Sequence, residues 1–155
     1  MEPRASVCRR DPEQDRLILH AGHQAPTGLQ ESLCKDIFGW STDKLRIVVG
    51  HLGGGFGIRA ETYPEEIVTV YAAHKQSRPV KWNGDRTQEF YGTVHGRDQL
   101  STASLACSKD GKIEALRIIT RSNLGAYATG PGAAIPPVVG PKICLLYTSD
   151  AADDP

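Results

Sequence analysis

The chain has 155 residues, with 18 Lys plus Arg against 18 Asp plus Glu and a formal net charge of zero. That balance leaves no global field to draw it to nucleic acid or anionic lipid, and no apolar run nears the ~20 residues of a membrane span. A length of this order suits one domain that buries about two-thirds of its unfolded surface.

The start, Met1-Glu2-Pro3-Arg4, is charged and lacks the apolar stretch of a secretory leader, so a cytoplasmic setting without nucleic-acid or membrane partners is expected. Residues 16–21 form the first readable strand. A helix signal follows: Thr27 and Gln30 have capping-box spacing, and Leu29, Leu33 and Ile37 fall on one face. Gly39 is placed to end that helix in a left-handed conformation. Residues 45–49 are a short β-branched run and read as a buried strand. After the glycine run at 53–57, Thr62 and Glu65 again have capping-box spacing, with Pro64 early in the helix where a missing N–H costs little. Ile67, Val70, Tyr71 and His74 define its expected buried face, and Ser77-Arg78-Pro79 stops it.

Residues 80–82 read as another strand and 85–90 as a short helical turn. Residues 99–122 read as a β-hairpin about Lys109-Asp110-Gly111-Lys112, since Asp-Gly is a strong turn signal. From Gly125 onward Gly and Pro leave little periodicity. The order of elements implies an α+β (mixed α/β) fold with strand-helix-strand units and a hairpin, without an internal repeat.

Cys8, Cys34, Cys107 and Cys144 are far apart and have no zinc-ligand spacing, so they read as reduced, mostly buried thiols, and no metal ligand is assigned. The scattered histidines offer no nucleophile pattern. The stretch Gly53-Gly54-Gly55-Phe56-Gly57 is the main chemical signal. Glycines after a strand let successive backbone N–H groups converge on a bound oxygen. Walker A fails because Ile58-Arg59 stands where Lys-Ser/Thr is needed. The dinucleotide fingerprint fails because position 58 is not glycine. Two ligand-free alternatives stand beside an oxyanion turn: a tight glycine turn with Phe56 buried as a plug, and Gln24 as an ordinary surface or turn residue.

The ordered series Met1-Glu2-Pro3-Arg4-Ala5, Gln24-Ala25-Pro26, the glycine run, Tyr63-Pro64-Glu65-Glu66, Ala72-Ala73, Arg78-Pro79-Val80-Lys81-Trp82, Asp85-Arg86, His95-Gly96-Arg97-Asp98, Lys109-Asp110-Gly111-Lys112-Ile113 and Leu124-Gly125-Ala126-Tyr127 resembles the large subunit of molybdenum hydroxylases. That is the xanthine dehydrogenase, aldehyde oxidase and carbon monoxide dehydrogenase family. The resemblance covers residues 1–142 as part of the first molybdopterin-binding domain. It implies a molybdenum–molybdopterin cofactor, with the cytosine dinucleotide form as one candidate. It implies a cofactor-binding set of Gln24, Gly54, Gly55, Phe56 and Gly57, in which the amides of Gly55, Phe56 and Gly57 and the side chain of Gln24 lie against the molybdenum oxo group. Preorganised N–H dipoles of that kind stabilise negative charge on oxygen.

The resemblance further implies hydroxylation of aldehydes or N-heterocycles, or oxidation of carbon monoxide, with water-derived oxygen and a small-molecule substrate. Iron–sulfur and FAD-binding subunits are the implied partners. Purine-oxidising members have a Glu shortly after the glycine turn, and the matching position here is Ala60, with Glu61 one residue later, which weakens a xanthine substrate. The resemblance leans toward carbon monoxide dehydrogenase-like large subunits. The family's general-base Glu has no counterpart in this chain, so no catalytic residue is assigned and the isolated chain is expected to be inactive. Residues 143–155 read as a non-native tail, the translation of a sequencing adapter, and Met1 reads as an internal methionine. The alternative from another class is a non-catalytic α+β module that binds an anion or a partner.

Overall fold

The computed structural model describes residues 2–96, 98–130 and 132–135. The expected non-native tail at 143–155 lies outside them, as does Arg97 of the His95-to-Asp98 motif. The chain divides into two units at Val94 and His95.

The first unit is a four-stranded sheet in the order β3-β2-β1-β4, covered by helices. Its strands are β1 (Ala5–Arg10), β2 (Leu17–Ala21), β3 (Leu45–Val48) and β4 (Val80–Asn83). β1 runs antiparallel to both neighbours, and β2 runs parallel to β3. The connection between the parallel pair is helical, as such a crossover requires. It consists of α1 (Pro26–Glu31), a π-helical run over Ser32–Phe38 and a 3-10 turn at Thr42–Lys44. α2 (Pro64–Gln76) packs on β1 and β4, and α3 (Arg86–Gly92) follows β4. Cys8, Leu19, Leu29, Leu33, Leu45 and Val70 are fully buried between sheet and helices. Among the described residues, no helix is long and apolar enough to cross a membrane.

Several expected details move. β1 carries no clear sequence signal, yet it is an interior strand whose Ser6 and Cys8 face the core. Leu29 and Leu33 are buried as expected, but Ile37 is exposed. The π-helical turn adds a residue per turn and rotates the stripe, so Cys34 is buried and Phe38 packs on the core instead. Gly39 does take the left-handed cap, with φ 64°. The Thr27–Gln30 box does not form. The Gln30 amide instead donates to the carbonyls of Thr42 and Leu45, at 3.0 and 2.6 Å. β3 is an edge strand in which only Leu45 is buried, not the buried strand expected.

The cap of α2 is displaced by one residue. Tyr63, not Thr62, is the N-cap, and the Glu66 carboxylate accepts its N–H at 3.1 Å. The buried face of α2 accordingly carries Glu66, Thr69, Val70 and Ala73, while Tyr71 and His74 are exposed. The Glu65 side chain is held elsewhere, by Arg4.

Arg4 is the polar hub of this unit. Its buried guanidinium donates to Glu89 at 3.1 Å and to both oxygens of Glu65 at 3.4 and 3.5 Å. It also lies 3.5 Å from the centroid of the Tyr63 ring. A buried cluster of this kind fixes geometry more than it adds net stability. It joins the start of β1 to α2 and α3. Asp85 caps α3 reciprocally with Gln88, at 2.8 and 3.0 Å.

The second unit holds the expected hairpin, β5 (Gln99–Cys107) and β6 (Ile113–Ser122), with Gly111 at φ 88° in its turn. Cross-strand pairs Ala103–Ile118, Leu105–Leu116 and Cys107–Ile113 share one face, and both strands are largely solvent-exposed. Cys8 and Cys34 are buried free thiols, but Cys107 is exposed, against expectation.

Candidate functional site

Strand direction decides where the site forms. β2 and β3 are parallel, so the segments leaving their carboxyl ends emerge at one edge of the sheet. Antiparallel β1 begins at that same edge. Gln24 follows β2, the glycine run follows β3, and Glu2 precedes β1, so all three meet there. Ligand sites in open sheets favour this edge.

The glycine run folds as an irregular turn, with φ of 106° at Gly54, 52° at Phe56 and 83° at Gly57. Phe56 is an aromatic residue held in the left-handed region, which costs about 1–2 kcal/mol, and its side chain is 78% exposed. The expected alternative of Phe56 as a buried plug is therefore wrong. The ring folds back onto Gly54 instead, where a Cβ would overlap it. No helix starts directly after the run; α2 begins only at Pro64. This agrees with the failure of both phosphate motifs, each of which needs a helix N-terminus beside the glycines.

The two outer amides of the run are already engaged. Gly53 N–H donates to Glu2 Oε1 at 3.2 Å, and Gly57 N–H donates to Gln24 Oε1 at 2.9 Å. The amides between them, at Gly54, Gly55 and Phe56, form no hydrogen bond among the described residues. Gly57 is thus brought to Gln24 itself, while Gly54, Gly55 and Phe56 keep open donors. The Gln24 side chain crosses Gly55 so closely that a Cβ there would meet Gln24 Cδ at 2.8 Å. Because its Oε1 accepts from Gly57, the Gln24 NH2 group is the end left to donate.

Three further residues brace this edge, and sequence reasoning assigned none of them to the site. His23 is buried and accepts the Ala25 N–H on Nδ1 at 3.0 Å. Its proton therefore sits on Nε2, which donates to the Glu61 carbonyl at 3.2 Å. Burial lowers its pKa and keeps the ring neutral. Glu2 is held below the usual carboxylate range, first by its own backbone N–H and then by that of Gly53. Arg59 is buried and reaches Gly22 and Glu2. Only a structure pairs residues 57 positions apart. Ala60, the departure noted in sequence, closes the turn by donating to the Gly57 carbonyl at 3.0 Å.

An edge offering three unengaged amides and one side-chain amide is a donor surface for an oxygen-rich anion. Residues 1–153 match the family described as the molybdopterin cofactor-binding domain. The chain belongs to that family. Among its relatives, the Escherichia coli K12 protein named "Probable hypoxanthine oxidase XdhD" is 30% identical over 148 residues, 95% of this chain and 15% of that protein. The carbon monoxide dehydrogenase large chain of Hydrogenophaga pseudoflava is 32% identical over 127 residues, 82% of this chain and 16% of that one.

The fold is similar to the crystal structure of quinoline 2-oxidoreductase from Pseudomonas putida 86, with TM-score 0.71 and 29% identity over 77% of this chain and 15% of the other. It is equally similar to the Cu,Mo-CO dehydrogenase, with TM-score 0.70 and 32% identity over the same shares of each chain. The chain spans about 15% of the length of the relatives it matches. The α+β fold and the family drawn from the ordered motifs are both borne out.

Proposed function

We propose that this chain is the part of a molybdenum-cofactor oxidoreductase that holds an oxygen of the cofactor against the turn at residues 54–57. The observation that carries the proposal is the row of unengaged amides at Gly54, Gly55 and Phe56, held open by a left-handed aromatic residue and flanked by the Gln24 side chain. A non-glycine residue held in the left-handed region beside successive open amides is the geometry of an anion-binding turn, and this supports the reading. The surface fits an oxyanionic group at the three open amides, with the neighbouring Glu2 carboxylate taken up by the Gly53 N–H and Arg59.

When bound, a molybdenum–molybdopterin cofactor supplies two-electron redox chemistry, and the protein supplies orientation and electrostatics. The open amides of Gly54, Gly55 and Phe56 would hold an oxygen of that group by donating to it, and Gln24 would add a side-chain donor. Gly55 leaves the space in which Gln24 crosses the turn. The whole enzyme acts on a small aldehyde or N-heterocycle, or on carbon monoxide, using water-derived oxygen, with iron–sulfur and FAD-binding subunits as partners. Relatives named as a dehydrogenase-complex subunit gamma and as a large chain support such an assembly. The cytosine dinucleotide form of the cofactor belongs to the same proposal. The isolated chain lacks the general base and is inactive alone.

The test is Gly55→Ala in the intact enzyme, with molybdenum, pterin and turnover measured together. The added Cβ displaces Gln24 and lowers cofactor retention or turnover about 10–100-fold, the usual effect of disturbing groups around a metal site. Unchanged molybdenum, pterin and turnover would refute the proposal.

A further inference from the structure

We infer that Arg59 is a positioning residue for the cofactor-facing turn, fixing both the glycine run and Gln24 through contacts that leave the ligand face free. The inference rests on the proposed function and extends it to a residue outside the donor surface.

Arg59 is 2% exposed. Its guanidinium donates to the Gly22 carbonyl at 3.1 Å and to the Glu2 carbonyl at 2.6 Å. It also pairs with Glu2 Oε1 at 3.2 Å, and that same oxygen accepts the Gly53 N–H. The backbone of Arg59 makes the complementary ties. Its N–H donates to the Gly55 carbonyl at 3.3 Å, and its carbonyl accepts the Gln24 N–H at 3.0 Å. One residue therefore holds the turn at Gly53 through Glu2, at Gly55 directly, and holds Gln24 on the opposite side.

The guanidinium lies so close to Gly22 that a Cβ there would meet Nη1 at 2.6 Å and Leu52 Cδ1 at 3.1 Å. Burial is incompletely compensated, since Arg59 Nε has no hydrogen-bond partner among the described residues. A residue present only to stabilise the fold would better be apolar. The planar fork is what the geometry uses: it spans the end of β2 and the approach to β1 at once, which the point charge of a lysine does not.

The experiment uses the intact, cofactor-loaded enzyme and compares Arg59→Lys, Glu2→Gln and, as reference, Gln24→Ala. Molybdenum and pterin content, the Mo(V) electron paramagnetic resonance signal, and kcat and KM are measured. Arg59→Lys is expected to retain the cofactor and lower kcat about 10–100-fold, with little change in KM. Its Mo(V) signal shifts as that of Gln24→Ala does, and Glu2→Gln shifts it in the same sense. A purely structural role predicts lost holoprotein with an unshifted signal in what remains, and that result overturns the inference. A wild-type signal and kcat in Arg59→Lys, with both altered in Gln24→Ala, also overturns it and leaves the proposed function standing. Silence in both overturns the proposed function itself. Where Arg59→Lys does not accumulate, Glu2→Gln decides by the same readouts, because its side chain is 49% exposed and its replacement spares the core.

Discussion

Replacing Glu66 by glutamine removes a buried titration from α2 while keeping an oxygen to accept the Tyr63 N–H. Glu66 is 7% exposed. Burial pushes its carboxyl from the ordinary 4.5 up to about 7, against the lowering effects of the Tyr63 N–H and the Arg4 and Arg59 charges; the Glu65 charge adds to the rise. Because the folded pKa is raised, the native state binds more protons than the unfolded chain between pH 4.5 and about 7. The stabilising contribution of protonated Glu66 is complete below pH 4.5 and is lost as pH rises through about 7. At about 1.4 kcal/mol per pH unit, the ionised carboxylate costs the fold roughly 3 kcal/mol at pH 8 relative to pH 4.

Glu66→Gln is therefore expected to be more stable than the parent chain at pH 8, by up to that amount, and close to it at pH 4. Urea unfolding at a series of pH values, followed by circular dichroism, measures both arms. A parallel pH dependence in the two proteins would refute the assignment of this titration to Glu66.

Two other outcomes follow from the packing. Asp85→Ala removes the side-chain acceptor of the Gln88 N–H at the N-cap of α3, while the backbone N–H of residue 85 keeps its bond to the Gln88 side chain. It is expected to lower stability by about 1 kcal/mol, read as a urea midpoint shift; no shift would show that the Asp85 side chain does not hold α3. Burial pushes the Cys8 thiol up to about 12, whereas Cys107 is exposed. A thiol reagent at pH 8 should modify Cys107 in the folded chain and reach Cys8 only on unfolding, checked by peptide mass mapping; modification of native Cys8 would contradict the packing.

How much was legible in the sequence varied with the range of the interaction. The hairpin, the Gly39 cap and the stop at Ser77-Arg78-Pro79 depend on neighbouring residues and were readable. The two capping boxes were not. Thr62–Glu65 and Tyr63–Glu66 have the same spacing, and the choice between them falls to Arg4, which draws Glu65 away. Gln30 is likewise drawn to carbonyls 12 and 15 residues on. β1 was missed because Ala5–Arg10 is short and half polar; it reads as a strand only once β2 and β4 flank it. For the site, the glycines announced a turn, but their open amides depend on what Glu2 and Gln24 occupy. Arg59 has no local signal at all, since its partners lie before β1 and at the end of β2.

The β5–β6 hairpin has a practical consequence. Two strands do not hold together well in water without a covered face, and here Leu105, Leu116 and Ile118 lie exposed beside two strand edges that have no partner among the described residues. Such edges template pairing with other chains. In a preparation of this chain by itself, the hairpin is where self-association would begin, and its yield would fall with concentration. A lysine in place of Leu105 would place a charge at the centre of that stripe and raise the concentration at which the chain stays dispersed.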